Sequence, residues 1–272
     1  MNQDFRQRLR HVASPQNPLV KDLRRALARG ETTSNGSCAI ESVRLVEEAI
    51  RSGLRFRAVF FRQSSLVVAD RLLPQIAAQV DTVVLPNEVF DAAVATETPQ
   101  GVAALVKARS FTLDDVLRPS QSLVVVLSGI QNPGNLGTML RSAEAFGASG
   151  VLLGEGTVSQ FNSKAIRASA GSVFRVPAVA VKVEQTIPRL RQAGLKLVAT
   201  SSHGGTPADQ TNLAGRLALF IGNEGSGLPH KLISQMDETV AVPHPGPVES
   251  LNAAVAASVL LYEAARQRRA GI

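Results

Sequence analysis

A run of Leu and Val, Leu123 to Leu127, leads straight into Ser128-Gly129-Ile130-Gln131-Asn132-Pro133-Gly134-Asn135-Leu136-Gly137-Thr138-Met139-Leu140-Arg141. No other stretch restricts the possible folds as much. A strand without a polar residue on either side is hidden on both faces, as happens in α/β proteins. The Pro and Gly residues then turn the chain, and Asn135 or Thr138 can cap the helix that starts there. Leu136, Met139, Leu140, Ala143 and Phe146 follow at helical spacing, so one face of that helix is core. Arg141 needs a polar partner or water. A strand, a Gly-rich turn and a helix carrying an arginine in its early turns suit an anion or an RNA phosphate.

Taken in order, the chain alternates strand and helix patterns. Leu19 to Arg29 forms a basic helix after the turn Ser14-Pro15-Gln16-Asn17-Pro18, and Glu31 to Ser37 is a polar loop. Ser42 to Ser52 is an amphipathic helix ending at Gly53. Strands are predicted at Ala58–Phe61, Thr82–Leu85 and Gly101–Val106, and helices at Ala69–Gln79 and Asn87–Val94. This makes a small α/β domain over residues 1–108, followed by a polar linker over 109–119 that contains Pro119. The second domain, 120–272, continues with a strand at Val151–Leu153 and a helix at Asn162–Ala170 that has Lys164 and Arg167 on one face. An extended Val173–Val181, a helix at Gln185–Ala193 and strands at Leu195–Thr200, Leu217–Gly222 and Thr239–Pro243 come next. A long helix from Glu249 to Arg268 closes the chain.

Charge and composition narrow the partners. A net charge of +7 favours a polyanion, usually nucleic acid. Aromatic residues make up 4%, with no Trp and Tyr262 as the one tyrosine, so base stacking on an aromatic platform is not the main mode of binding. Cys38 stands alone, which excludes a disulfide framework and a cysteine metal site within one chain and fits a cytoplasmic location. No apolar run approaches the ~20 residues of a membrane span, so no membrane is expected as partner.

Familiar catalytic signatures are missing. Gly225-Ser226-Gly227 lacks the third glycine of a dinucleotide loop, and no phosphate loop with Lys-Ser or Lys-Thr occurs. His11, His203, His230 and His244 are scattered, so no metal is expected. Ser250 has no nucleophile elbow around it. What remains is a set of three turns rich in Gly, Pro and Asn, each after a strand or before a helix. Ligands of open α/β sheets bind at the carboxyl ends of strands, where these turns can converge.

The three turns are Asn132-Pro133-Gly134-Asn135-Leu136-Gly137-Thr138-x-x-Arg141, then Phe220-Ile221-Gly222-Asn223-Glu224-Gly225-x-Gly227, then Val242-Pro243-x-Pro245-Gly246-x-x-Glu249-Ser250-Leu251-Asn252. In order and spacing they resemble the motifs of the SpoU/TrmH family of RNA 2′-O-ribose methyltransferases, within the SPOUT superfamily. His244 departs from the pattern, since relatives commonly carry Met there. The resemblance implies an α/β fold in which a C-terminal SPOUT domain with a deep trefoil knot joins a small N-terminal α/β domain. That first domain is more loosely similar to the family's ribosomal-protein-like substrate-binding domain.

The resemblance further implies S-adenosyl-L-methionine as cofactor, held at Thr200, Gly222, Val242 and Leu251. It marks Arg141 and Asn135 as catalytic, with Glu224, Ser250 and Asn252 at the same site. It implies a homodimer formed through the C-terminal domain and an RNA substrate, 23S ribosomal RNA ahead of tRNA, since tRNA-acting relatives more often lack the first domain. The alternative to an enzyme is a non-catalytic RNA-binding or ribosome-assembly protein that keeps the fold.

Overall fold

A computed structural model describes residues 3–94, 96–118, 120, 122–202 and 204–271. Pro119 of the expected linker and His203 lie outside the described residues. In chain order the elements begin β1 (Leu9–His11), α1 (Pro18–Arg29), β2 (Ser37–Glu41), α2 (Val43–Arg51), β3 (Phe56–Arg62), α3 (Leu66–Leu72), β4 (Asp81–Leu85), α4 (Asn87–Ala93) and β5 (Val102–Lys107). They continue with α5 (Leu113–Leu117), β6 (Leu123–Leu127), α6 (Pro133–Ala145), β7 (Gly150–Leu153), α7 (Ser163–Ser169), β8 (Ala178–Ala180) and α8 (Val183–Gln192). The last are β9 (Lys196–Ser201), β10 (Thr206–Pro207), β11 (Leu217–Ile221), α9 (His230–Ile233), β12 (Glu238–Ala241) and α10 (Ala253–Ala270).

The chain divides into two compact units. One is the chain up to Arg109 together with Ser159–Phe174; the other is Ser110–Val158 with the chain from Arg175 onward. The segment around α7, expected within the second domain, therefore folds with the first unit. Residues 110–118, expected as linker, fold with the second.

In the first unit the sheet order is β1-β4-β3-β5-β2. β1, β4 and β3 run parallel, and β5 is antiparallel to β3 and β2. α1 forms because Asn17 caps it, its side chain accepting from the Leu19 N–H, and Pro18 takes the first helical position. Its Val20, Leu23 and Leu27 turn inward against Phe60 of β3 and Phe90 of α4. It ends at Gly30, whose φ of 65° is the left-handed conformation that glycine adopts without a steric cost. Cys38 is buried in β2, and burial pushes its thiol up to about 12.

The structure corrects several expectations here. Ala69–Gln79 is not one helix: α3 stops at Leu72, and Leu73–Gln75 is a 3-10 turn. Pro74 has no N–H and clashes with the preceding turn, which halts the α-helix. β1 and β2 were not foreseen. The first is short and largely polar at a sheet edge; the second is buried throughout but opens with a serine that looks like loop.

The second unit holds one fully parallel sheet of order β10-β12-β9-β11-β6-β7-β8. β6 and β11 are buried at every position, as the continuous apolar runs predict. The neighbours β12, β9, β11 and β6 all point the same way, so the loops leaving their carboxyl ends emerge side by side. The expected linker contains α5, started by a reciprocal cap: Thr112 Oγ1 accepts from Asp115 N–H at 3.3 Å and Asp115 Oδ2 from Thr112 N–H at 2.9 Å. Extended structure at Val173–Val181 is limited to β8, after a 3-10 turn at Ser172–Phe174. The closing helix starts at Ala253 rather than Glu249.

α6 and α10 lie side by side and parallel. Asn135 meets Asn252 at their starts, Ser142 Oγ lies 2.7 Å from Ser258 Oγ, and the Phe146 and Tyr262 rings meet edge to face at 5.8 Å. Neither Asn135 nor Thr138 caps α6. Asn132 does, its Oδ1 accepting from the N–H groups of Gly134 at 2.8 Å and Asn135 at 3.3 Å.

Candidate active site

The carboxyl ends of three strands and the first turns of α10 enclose a cleft of about 960 Å³, counting its open mouth. Thr200 to Ser202 end β9, Gly222 to Gly227 follow β11, and Val242 to Leu251 follow β12. Ala253, Ala256, Ala257 and Leu260 form the helical wall. Ala253, Ala256 and Ala257 keep that wall low, while Thr200, Ser201, Asn223, Glu224 and His244 make the facing walls polar.

The loop after β11 is built on Gly222 and Asn223. A side chain at Gly222 would place its Cβ 2.2 Å from the carbonyl carbon of Gly227 and 2.3 Å from the Leu228 nitrogen, so glycine is required. Asn223 and Gly227 exchange backbone hydrogen bonds of 3.1 and 2.9 Å. The Asn223 side chain accepts from the N–H groups of Gly225 and Ser226 and donates to the Gly129 carbonyl at 2.7 Å. It thereby pins the loop after β11 to the turn after β6.

Glu224 makes the second tie. Its carboxylate accepts from the N–H groups of Gln131 at 3.2 Å and Asn132 at 3.1 Å, and from Asn135 Nδ2 at 3.0 Å. Because a carboxylate only accepts, the Asn135 amide must present its nitrogen to Glu224, leaving its oxygen to face α10. Asn252 Nδ2 donates to that oxygen at 3.1 Å, and Asn252 Oδ1 caps α10 by accepting from Ala254 and Val255 N–H. One chain of hydrogen bonds thus joins all three turns. Burial pushes the Glu224 carboxyl up, but the donors from Asn135 and from the Glu224, Asn132 and Gln131 backbone outweigh it and hold the group below its ordinary value.

Of the residues expected to hold a cofactor, Thr200, Gly222, Val242 and Leu251 all line the cleft, as do Glu224 and Ser250. Asn135 and Asn252 do not line it but join its walls. Arg141 lies outside the lining. It is two turns along α6 from Asn135, about 9 Å by helical rise, and is exposed with Thr138. It makes no side-chain hydrogen bond or ion pair with the described residues.

Sequence reasoning passed over Asn223 and the structural part of His244. The signal for Asn223 was present in the Asn-Glu-Gly run, where an Asx turn satisfies the next N–H groups. His244 lines the cleft, its Nδ1 2.9 Å from the Val242 carbonyl and its Nε2 3.2 Å from that of Val248. It closes the third loop on itself, which its place in the sequence does not reveal. Among the described residues no three His, Cys, Asp or Glu side chains are grouped to hold a metal ion.

Residues 122–262, the span that carries all three turns, match the SpoU rRNA Methylase family. The chain belongs to that family. The SpoU span is preceded by a match of residues 17–104 to the MRM3-like substrate binding domain. The 23S rRNA (guanosine(2553)-2′-O)-methyltransferase RlmP of Bacillus subtilis is 32% identical over 93% of this chain and 98% of its own length. A 23S rRNA (uridine(2479)-2′-O)-methyltransferase of Streptomyces viridochromogenes is 32% identical over 89% of this chain and 87% of its own. Among solved structures, the SpoU methyltransferase AviRb of S. viridochromogenes in complex with AdoMet superposes with a TM-score of 0.81. It has 28% identity over 94% of this chain and 100% of that one.

Proposed function

We propose that this SpoU-family protein transfers a methyl group from S-adenosyl-L-methionine to a ribose 2′-hydroxyl of 23S ribosomal RNA, in the cytoplasm and as a homodimer. The observation that carries this is the hydrogen-bonded chain Glu224–Asn135–Asn252, which ties the three turns around one cleft. The choice of ribosomal RNA rests on two relatives named for 23S rRNA that match nearly the whole chain, first unit included.

The cleft fits such a cofactor. Its walls combine apolar side chains (Val242, Leu251, Leu260 and the alanines of α10) with polar ones (Thr200, Ser201, Asn223), the mixture that suits a nucleoside part and a polar tail. Thr200, Gly222, Val242 and Leu251 would hold it, with Gly222 allowing the tight turn that sets the loop after β11 at the cleft. When bound, the cofactor supplies a methyl group on a positively charged sulfur, already activated for transfer.

The chain's own residues have two remaining tasks: to align the hydroxyl and to manage its proton. Arg141 performs the first. A guanidinium stays protonated, so it donates hydrogen bonds to the ribose oxygen and steadies the developing alkoxide, while a phosphate or water takes the proton. Because no carboxylate engages it, all its donors are free for RNA. Glu224, Asn135 and Asn252 hold α6, and with it Arg141, in register with the cleft, and Ser250 lies at the mouth of the third turn.

Two further features support the family architecture. After β12 the chain lines the cleft from Val242 to Leu251 and then packs α10 against α6, which agrees with the C-terminal trefoil knot that the family resemblance implies. On α10, Val255 (49% exposed), Val259 (39%) and Tyr262 (48%) recur at helical spacing as an apolar stripe that a second copy can cover. Among the described residues no helix is long and apolar enough to cross a membrane.

The test is a map of ribose methylations in cellular 23S rRNA with and without the gene. One 2′-O-methyl position is expected to vanish and to return when purified protein and S-adenosyl-L-methionine are added to the unmethylated RNA. An unchanged map together with no cofactor binding by calorimetry would favour the assembly-protein alternative, and a lost tRNA methylation would move the substrate to tRNA.

A further inference from the structure

Cations of the first unit differ in what they meet. Arg6, Arg51, Arg57, Arg62 and Arg71 each sit on a carboxylate, of Asp70, Glu48, Asp22, Asp91 and Glu47 in turn. Lys21, Arg24, Arg25 and Arg29 of α1 are different: all four are exposed, and none makes a side-chain hydrogen bond or ion pair with the described residues. They line a shallow groove along the helix with Gln16, Pro18, Asp22 and Ala28. Asp22, the acid within α1, is taken up by Arg57 at 2.6 Å and does not neutralise them.

The same character appears on α7, from a distant part of the sequence. Lys164 and Arg167 are one turn apart, exposed, and likewise without a side-chain partner among the described residues. The Ser159–Phe174 segment folds with the first unit, and its junction with α1 is close. A Cβ added to Gly30, which ends α1, would lie 2.8 Å from the Cα of Asn162, which caps α7. Arg29 and Lys164 therefore flank one junction, each within a single turn of it.

We propose that Lys21, Arg24, Arg25 and Arg29 of α1 and Lys164 and Arg167 of α7 form one phosphate-tracking surface for RNA, so that the catalytic half of the sequence lends part of the RNA grip. The proposal rests on the RNA-methyltransferase reading above. Its warrant is charge complementarity: six exposed cations without side-chain partners among the described residues, gathered on two helices that meet at one junction, gain from a polyanion through counterion release. The low aromatic content, 4% with no Trp, agrees with contacts to the backbone rather than to stacked bases.

Fluorescence anisotropy with the full chain and a labelled transcript of 23S rRNA, titrated over a range of salt, tests this. Arg24→Gln with Arg25→Gln, and separately Lys164→Gln with Arg167→Gln, are each expected to reduce the slope of log affinity against log salt by about 1.4 to 1.8. The quadruple variant should lose the sum, and Lys164→Arg with Arg167→Lys should keep the parental slope. Ala28→Glu, which places an acid in the groove, should weaken binding as well. S-adenosyl-L-methionine affinity and thermal midpoint should stay at parental values throughout. If the α7 pair leaves the slope unchanged while the α1 pair lowers it, the composite surface is wrong. Loss of methyl transfer by the parental protein with RNA binding intact would instead sink the enzymatic reading and leave this surface standing.

Discussion

Arg141 and Glu224 differ in their partners: the cation has no side-chain hydrogen bond or ion pair among the described residues, whereas the carboxylate accepts from Gln131, Asn132 and Asn135. Replacing Arg141 with Ala breaks no side-chain hydrogen bond or ion pair among the described residues, and the side chain is exposed. Methyl transfer should fall by at least about a hundredfold, in line with the loss of a positioned charge at a reacting oxygen, while calorimetry gives an unchanged affinity for S-adenosyl-L-methionine. Parental turnover in that variant would mean Arg141 is not at the reaction. Glu224→Gln acts in the opposite way. One of its carboxylate oxygens becomes an NH2 facing the N–H of either Gln131 or Asn132, so a donor meets a donor. The side chain is largely solvated, so the cost is about 1 kcal/mol rather than the larger penalty of a buried site, read as a lower thermal midpoint and weaker cofactor binding. The Glu224 carboxyl lies below its ordinary value of 4.5 in the fold. Its stabilisation is therefore complete above that value and lost as pH falls through the lowered one. Parent and Glu224→Gln should differ at neutral pH and converge on acidification; a gap that stays constant would show that the charge is not what matters.

Among the elements, those that the sequence disclosed best are the ones whose burial is uniform. β6 and β11 have no polar residue, and α1 is bounded by Asn17 and Gly30, whereas the cap at Asn252 falls within the helix expected from Glu249 onward. β2 stayed hidden because its two ends are Ser37 and Glu41, whose burial depends on neighbours far away in sequence. α5 stayed hidden because a five-residue helix leaves too little periodicity to detect, and only its reciprocal cap gives it away. At the site, the residue types were readable from the motifs but the hydrogen-bond order was not: that Asn135 stands between Glu224 and Asn252 is a property of three strands brought side by side. The turn after β11 carries the sharpest test at this scale. Gly222→Ala sets a methyl group against backbone atoms that no rotamer change can move, so the turn must open, at a cost of about 1–3 kcal/mol or more. Cofactor binding should disappear before the fold does. A Gly222→Ala protein that binds cofactor like the parent would remove this turn from the cleft.

For the whole molecule, the open question is what covers α10. One side of the helix is sealed against α6 through Ser258 and Tyr262, while Val255, Val259 and part of Tyr262 face outward. About half of each outward side chain is in water, so covering them yields roughly 1 kcal/mol per residue in each copy, and a two-fold arrangement counts each twice. That sum favours association but is modest, because a stable interface usually covers about 800 Å² on each partner. The stripe must then be the centre of a wider contact, and one charge in it should suffice to prevent pairing. Val259→Asp is the suitable change: the side chain is exposed, so the single chain loses almost nothing, whereas two carboxylates brought together without partners are strongly unfavourable. Sedimentation analysis should show the parent as a dimer and Val259→Asp as a monomer, with the circular dichroism spectrum unchanged. If both sediment as dimers, the contact lies elsewhere on the molecule; if both are monomers, the stripe has another partner, and the dimeric part of the proposed function fails.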